Sequence, residues 1–302
     1  MGNGFIAGQH LACLRRLPGV EVVGVCDLSP AVAEATAERF GVPHWFTDHR
    51  VMLDQLQPDV VHVATPAVTH LAIGGDALDA GAHVFVEKPI AASYEEWARL
   101  RDQAEAADRW LVEDYNYLFD GCVLELDSLI ASGAFGQVSH VDVRFFQAIS
   151  DPGHAFGDRN APHATAKLAA GAISDFLPHL ASLAHHFVGR HRSVSAVWTK
   201  RDPDTILAAD ELVALLDAEG GTASLGFMAG SRPEGFWVEV YGSAMQARMN
   251  LYEGRLSVAR SLGGPTPLVP VRNAMAEARS AVSSAVARLW DKVSGGPVGY
   301  DG

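Results

Sequence analysis

Between residues 21 and 114 the chain alternates short runs rich in β-formers with stretches that read as helices, and no other feature narrows its possible folds so far. The strand-like runs are 21–26, 59–64, 83–86 and 110–114, and the helical stretches between them are 30–40, 68–80 and 93–108. Ser29 is placed to cap the first helix, with Pro30 in its opening turn. Ser93 and Glu96 have the spacing of a capping box. Strands that are apolar along nearly their whole length are buried on both faces, which calls for a parallel sheet with helices on each side.

After about residue 115 the pattern changes. Residues 119–131 read as a helix ended by Gly133, and 138–146 alternate as a half-buried strand does. Residues 148–169 are rich in Gly, Pro, His and Asp and read as a loop over something, followed by a helix to about Val188. Six strand-like runs follow, at 194–199, 211–217, 222–227, 237–241, 247–251 and 256–259, with turn residues such as Gly220 and Gly221 between them. Sequential strands with short turns indicate an antiparallel sheet. A last helix is expected over 273–293.

Gly2, Gly4 and Ala7 form a G-x-G-x-x-A pattern that continues into a helix. In a dinucleotide fold the first glycine makes the tight turn and the second admits the pyrophosphate, while the small third residue lets helix pack on strand. The helix N-terminus then faces the phosphates. Glycines at a chain start are also simply flexible ends. Asp27 lies at the end of the next strand, where an acid hydrogen-bonds ribose hydroxyls; it is equally a capping residue ahead of Pro30. Such a fingerprint ordinarily follows a buried strand, and Met1 stands directly before Gly2, so the chain reads as lacking its first strand.

Ala64-Thr65-Pro66, with His70 beyond it, ends the second strand, and Glu87-Lys88-Pro89 ends the third. Ligands of open parallel sheets bind beyond the carboxyl ends of the strands, so both tripeptides stand where chemistry is expected. A lysine there is also compatible with a solvated loop. Asp175 and His179 lie one helical turn apart and share a face. A surface pair or a buried polar contact would look the same, and no third residue stands at a metal-ligand spacing, so no metal is expected. Pro178 fits if Asp175 caps that helix, since its missing amide then has no helical partner.

Together these elements resemble the Gfo/Idh/MocA family of nicotinamide-dependent oxidoreductases in order and approximate distance, with Asn116 at a further recurrent position. The resemblance implies an α/β Rossmann dinucleotide-binding domain over 1–116 and an α+β domain with an open, mainly antiparallel sheet over 117–302. It implies Lys88 and His179 as catalytic residues, with Asp175 orienting the reacting groups. Gly2, Gly4, Ala7 and Asp27 would hold the cofactor, with Thr65, Pro66, His70, Glu87, Lys88 and Asn116 also on the cofactor side. The chain departs from the family at Leu177, where a small residue is usual, and at its glycine-rich C-terminus, where family members continue into another helix.

The activity so implied is hydride transfer between NAD and a secondary alcohol of a sugar, inositol or similar polyol. NADP is disfavoured because Asp27 repels a 2′-phosphate and residues 28–30 include no Arg. The alternatives are a non-catalytic nicotinamide-binding regulator and an NAD-dependent glycosidase. Net charge of −13 without any basic run argues against nucleic acid as a partner. No apolar run approaches bilayer length and no signal peptide is visible. Three widely spaced cysteines read as reduced, buried thiols of a cytoplasmic protein. An exposed sheet face in the second half favours a homo-oligomer.

Overall fold

The computed structural model describes residues 1–260 apart from 152, 159, 161 and 162, together with 270–275, 278, 279, 282 and 286. The chain divides into two compact units, Met1–Asp114 with Lys167–Ala169, and Tyr115–Ala166 with Ala170–Gly302.

In the first unit strands and helices alternate: α1 (Phe5–Leu14), β1 (Val25–Cys26), α2 (Pro30–Phe40), β2 (Trp45–Phe46), α3 (His49–Leu56), β3 (Val60–Val63), α4 (His70–Asp79), β4 (His83–Val86), α5 (Tyr94–Ala107) and β5 (Leu111–Glu113). Local chemistry sets the helix starts. Ser29 Oγ accepts from the amide of Val32 at 3.4 Å, with Pro30 opening α2. Ser93 Oγ accepts from the amide of Glu96, and the Glu96 carboxylate accepts in return from the amide of Ala92. Asp48 caps α3. All strand pairs are parallel, but they form two sheets, β1-β2 and β3-β4-β5. Met1 and Gly2 make a short rung between them. The Ala64 amide donates to Met1 O (2.8 Å), the Met1 amine to His62 O (2.6 Å) and the Gly2 amide to Cys26 O (2.9 Å). The core divides in the same place. Leu11, Val25, Ala37 and Val42 form one cluster, and Val61, Val63, Val84, Val86, Leu78 and Leu100 belong to another.

The second unit holds α6 (Gly121–Ala131), β6 (Val138–Phe146), α7 (Ala172–Val188) and six further strands, β7 (His191–Thr199), β8 (Glu211–Ala218), β9 (Thr222–Met228), β10 (Gly235–Gly242), β11 (Met245–Asn250) and β12 (Arg255–Arg260). They form one sheet in the order β12-β11-β10-β6-β9-β8-β7, antiparallel except for the β6–β9 pair. One face packs against α7 around Phe145, Leu180, Leu183, Phe227 and Phe236. On the other face β7 and β8 expose Val197 (68%), Val213 (48%) and Leu215 (59%), while Leu212, Ala214 and Leu216 between them are buried.

Three expectations are corrected. Cys13 is exposed on α1, and only Cys26 and Cys122 are buried. The strand expected over 21–26 is strand only at Val25–Cys26. Asp175 does not cap its helix: α7 begins after Gly171, so Asp175 lies in its first turn and Pro178 in its interior. The helix expected over 273–293 lies largely outside the described residues.

Candidate active site

The fingerprint turn is shaped for close approach. Gly2 has φ +78°, in the left-handed region, and a Cβ there would stand 2.7 Å from Ala64 O and 2.8 Å from Thr65 Cγ2. Gly4 opens α1 without a side-chain cap, and open space surrounds the position of its missing Cβ. The first amides of α1 are therefore presented to a ligand. Ala7 is buried under the helix. The two oxygens of Asp27 accept from the amides of Asn3 (2.8 Å) and Ser29 (2.9 Å), which aims the carboxylate from the end of β1 toward the fingerprint. Asn3 Nδ2 is buried with no hydrogen-bond partner among the described residues. A turn that excludes Cβ, a bare helix N-terminus and a fixed acid on the next strand fit a dinucleotide.

The second and third strands end side by side. Val63 pairs with Val86, so Ala64-Thr65-Pro66 and Glu87-Lys88-Pro89 leave the sheet together. His70 ties them: its Nε2 lies 2.7 Å from Thr65 O and its Nδ1 3.0 Å from Pro89 O. The ring is buried and burial pushes its pKa down. Both nitrogens are turned to backbone carbonyls, and a neutral ring, with a single N–H, donates to one of the two and only lies against the other. Thr65 Oγ1 accepts from Thr69. Pro66 is exposed, and Glu87 and Lys88 are half-buried.

Glu87 also belongs to a cluster that the sequence reading passed over. His10 Nε2 lies 3.0 Å from Glu87 Oε1 and 3.3 Å from Asp114 Oδ2, and its Nδ1 lies 3.1 Å from His62 Nδ1. Burial works against a charge on His10, but hydrogen bonds to Asp114 and Glu87 outweigh it and raise its pKa to about 9. His62 is driven down to about 4 by burial and by the charge on His10. The two shifts describe one arrangement. A cationic His10 donates from both nitrogens, to the carboxylates and to a neutral His62. A signal was available: His10 follows Ala7 by three residues and so faces the sheet, and His62 interrupts an apolar strand.

In the second unit His179 is buried on α7, its ring 4.9 Å edge-on from Tyr117. Asp175 is half-buried one turn earlier. Asn116 opens a 3-10 turn, and its buried Oδ1 has no hydrogen-bond partner among the described residues. The loop after β6 and the turn before β10 enclose an open cavity of about 550 Å³ lined by Ala148, Asp151, Gly153, His154, Arg232 and Glu234.

Two family models cover most of the chain. Residues 1–115 match the oxidoreductase family with an NAD-binding Rossmann fold, and residues 123–248 match the GFO/IDH/MocA C-terminal domain. The chain belongs to the Gfo/Idh/MocA family. Levoglucosan dehydrogenase of Pseudarthrobacter phenanthrenivorans is 27% identical over 239 residues, which cover 75% of this chain and 60% of that protein. Glycosyl hydrolase family 109 protein 2 of Akkermansia muciniphila is 31% identical over 159 residues, 49% of this chain and 33% of that protein. A structure of levoglucosan dehydrogenase in complex with NADH superposes with TM-score 0.77 at 24% identity, covering 87% of this chain and 75% of that one. This Gfo/Idh/MocA chain spans from a third to about three fifths of the length of those two curated relatives. No helix among its described residues is long and apolar enough to cross a membrane.

Proposed function

We propose that the chain carries the machinery of an NAD-dependent dehydrogenase acting on a secondary alcohol of a sugar or polyol. The observation that carries this reading is the first unit's layout. A turn closed to any Cβ at Gly2 and the Glu87-Lys88-Pro89 segment both lie at carboxyl ends of parallel strands. Gly2, Gly4, Asp27 and the first amides of α1 would hold the dinucleotide, which supplies a hydride acceptor when bound. Lys88 donates a hydrogen bond to the reacting oxygen and favours its alkoxide form electrostatically. His179 takes the hydroxyl proton, for which an imidazole is suited near neutral pH. Asp175, one turn before it, orients the reacting groups. Asp27 favours NAD over NADP by charge repulsion of a 2′-phosphate. The exposed apolar face around Val197, Val213 and Leu215 is proposed as the seat of a second copy of the chain.

The test is NADH formation across a panel of sugars and polyols, in the wild type, Lys88→Met and His179→Asn. Each substitution is expected to lower kcat by roughly 10²-fold or more and to leave NAD affinity within a few-fold. Near-normal turnover in either variant would remove that residue from the mechanism. A second reading, transient oxidation during glycoside cleavage, is favoured by the stretch of similarity to the glycosyl hydrolase. It requires glycoside cleavage that needs NAD but accumulates no NADH.

A further inference from the structure

The Lys88 segment is fastened on both sides. Ahead of Lys88, the Glu87 carboxylate is held by His10, which also holds Asp114 at the end of β5. After it, the ring of His70 packs with Nδ1 3.0 Å from Pro89 O, and the amide of Ile90 donates to Glu113 Oε1 at 3.0 Å. The groups facing His10 come from every strand beneath it: His62 on β3, Phe85 and Glu87 on and just beyond β4, and Asp114 just beyond β5. The Met1 amine stands nearby, on His62 O. The side chains of His10, Glu87 and Asp114 are only 12%, 13% and 18% exposed. Two carboxylates that close are held together only by a donor between them; without one, their mutual repulsion would push the strand ends apart or force one to take up a proton.

We propose that His10 is a positioning residue for Lys88: its ring joins the ends of β4 and β5 through Glu87 and Asp114 and so fixes the peptide on which Lys88 stands. This rests on the reading of Lys88 given above. Misplacing a reacting group by about 1 Å costs on the order of 10²-fold in rate, so a clamp on the adjoining residue has a large lever. His10 needs no contact with substrate or cofactor to exert it. The clamp holds while the ring is cationic, through neutral pH to about 9.

The experiment uses the full chain with NAD and whichever polyol of the panel is turned over fastest. Three variants are compared: His10→Gln, which keeps a donor but no charge, Asp114→Asn, which weakens the hold on the proton, and Lys88→Met. In the wild type kcat is expected to fall above about pH 9. His10→Gln should lower kcat about tenfold at pH 7, with NAD affinity and KM within about threefold, and should lose the limb near pH 9. Asp114→Asn should keep kcat at pH 7 within about threefold and move the limb to lower pH by on the order of one unit. A merely structural histidine would not move that limb. If His10→Gln keeps both rate and limb, or the limb stays put in Asp114→Asn, the positioning role is overturned, including where only Asp114→Asn folds. Lys88→Met separates the two claims. If it is inert while His10→Gln behaves as wild type, His10 alone is dismissed. If it retains turnover, the reading of Lys88 falls and the positioning role falls with it.

Discussion

Replacing His10 with Gln should destabilise the first unit by an amount that depends on pH in a defined direction. The ring's pKa rises from 6.5 to about 9 on folding. Below pH 6.5 the ring is protonated in folded and unfolded chains alike, and its full contribution is present. Between 6.5 and 9 only the folded chain keeps the proton, so the contribution declines as pH rises and is gone above 9. At 1.36 kcal/mol per unit the whole shift corresponds to about 3 kcal/mol, a ceiling that water at the ring edge reduces. Two neighbours work in the opposite sense. The Met1 amine, lowered by burial to about 6, and His62, lowered to about 4, both disfavour the folded state as pH falls, the first from 8 to 6 and the second from 6.5 to 4. The Met1 amine is the same in either protein and largely cancels in the difference between them, whereas the part of the His62 shift that comes from the charge on His10 is relieved in the variant and trims the difference below about pH 6.5. That difference should be about 2–3 kcal/mol at pH 6 and shrink toward a small constant by pH 9.5. Amide hydrogen exchange in β3 and β4 reads it for this unit alone. A difference that stays flat from pH 6 to 9.5, or grows, would show that His10 is not held as a cation by Glu87 and Asp114.

Gly2→Ala should weaken NAD binding more than tenfold, since it adds a left-handed alanine, costing about 1–2 kcal/mol, to a Cβ 2.7 Å from Ala64 O. Quenching of tryptophan fluorescence by NADH measures it, and an unchanged affinity would mean that the turn does not adjoin the cofactor. Asp27→Ala should lower the preference for NAD over NADP at least tenfold in the ratio of kcat/KM values, and an unchanged ratio would assign the carboxylate to Asn3 and Ser29 alone. Leu215→Lys, on the open face of β8, should convert an oligomer to monomers by sedimentation without loss of helix or strand content, and a variant that assembles as before would place the interface elsewhere.

What was legible in the sequence depended on whether the information was local. β4 and β6 have the bounds their patterns predict, because each alternates or runs apolar over its full length between clear breaks. The caps at Ser29 and Ser93 are hydrogen bonds within four residues, and both form as spaced. β2 was not anticipated because two residues after Pro43 carry no period, and α3 because its eight residues bury only Met52 and Leu53. α7 begins where the loop composition ends after residue 169, and only the cap conditionally placed at Asp175 does not form. Proline most often sits in a first turn, which points to a cap at Asp175, whereas this helix starts at Ala172 after Gly171 and tolerates Pro178 inside it. The region around Lys88 shows the limit most clearly. Glu87-Lys88-Pro89 stands out as a tripeptide, yet what fastens it comes from residues 10, 62, 70 and 114, on four other stretches of chain. Each of those residues has an ordinary local reading, as a helix histidine, a strand histidine, a histidine at a helix start and an aspartate just past a strand. Only the strand order β3-β4-β5 sets the ends of β4 and β5 side by side, and only the helical phase of Ala7 turns His10 down onto them. The contacts admit two proton arrangements, a neutral His10 accepting from Nδ1–H of His62 or a cationic His10 donating to it, and the two carboxylates at His10 Nε2 favour the second, with the charge on His10 and none on His62.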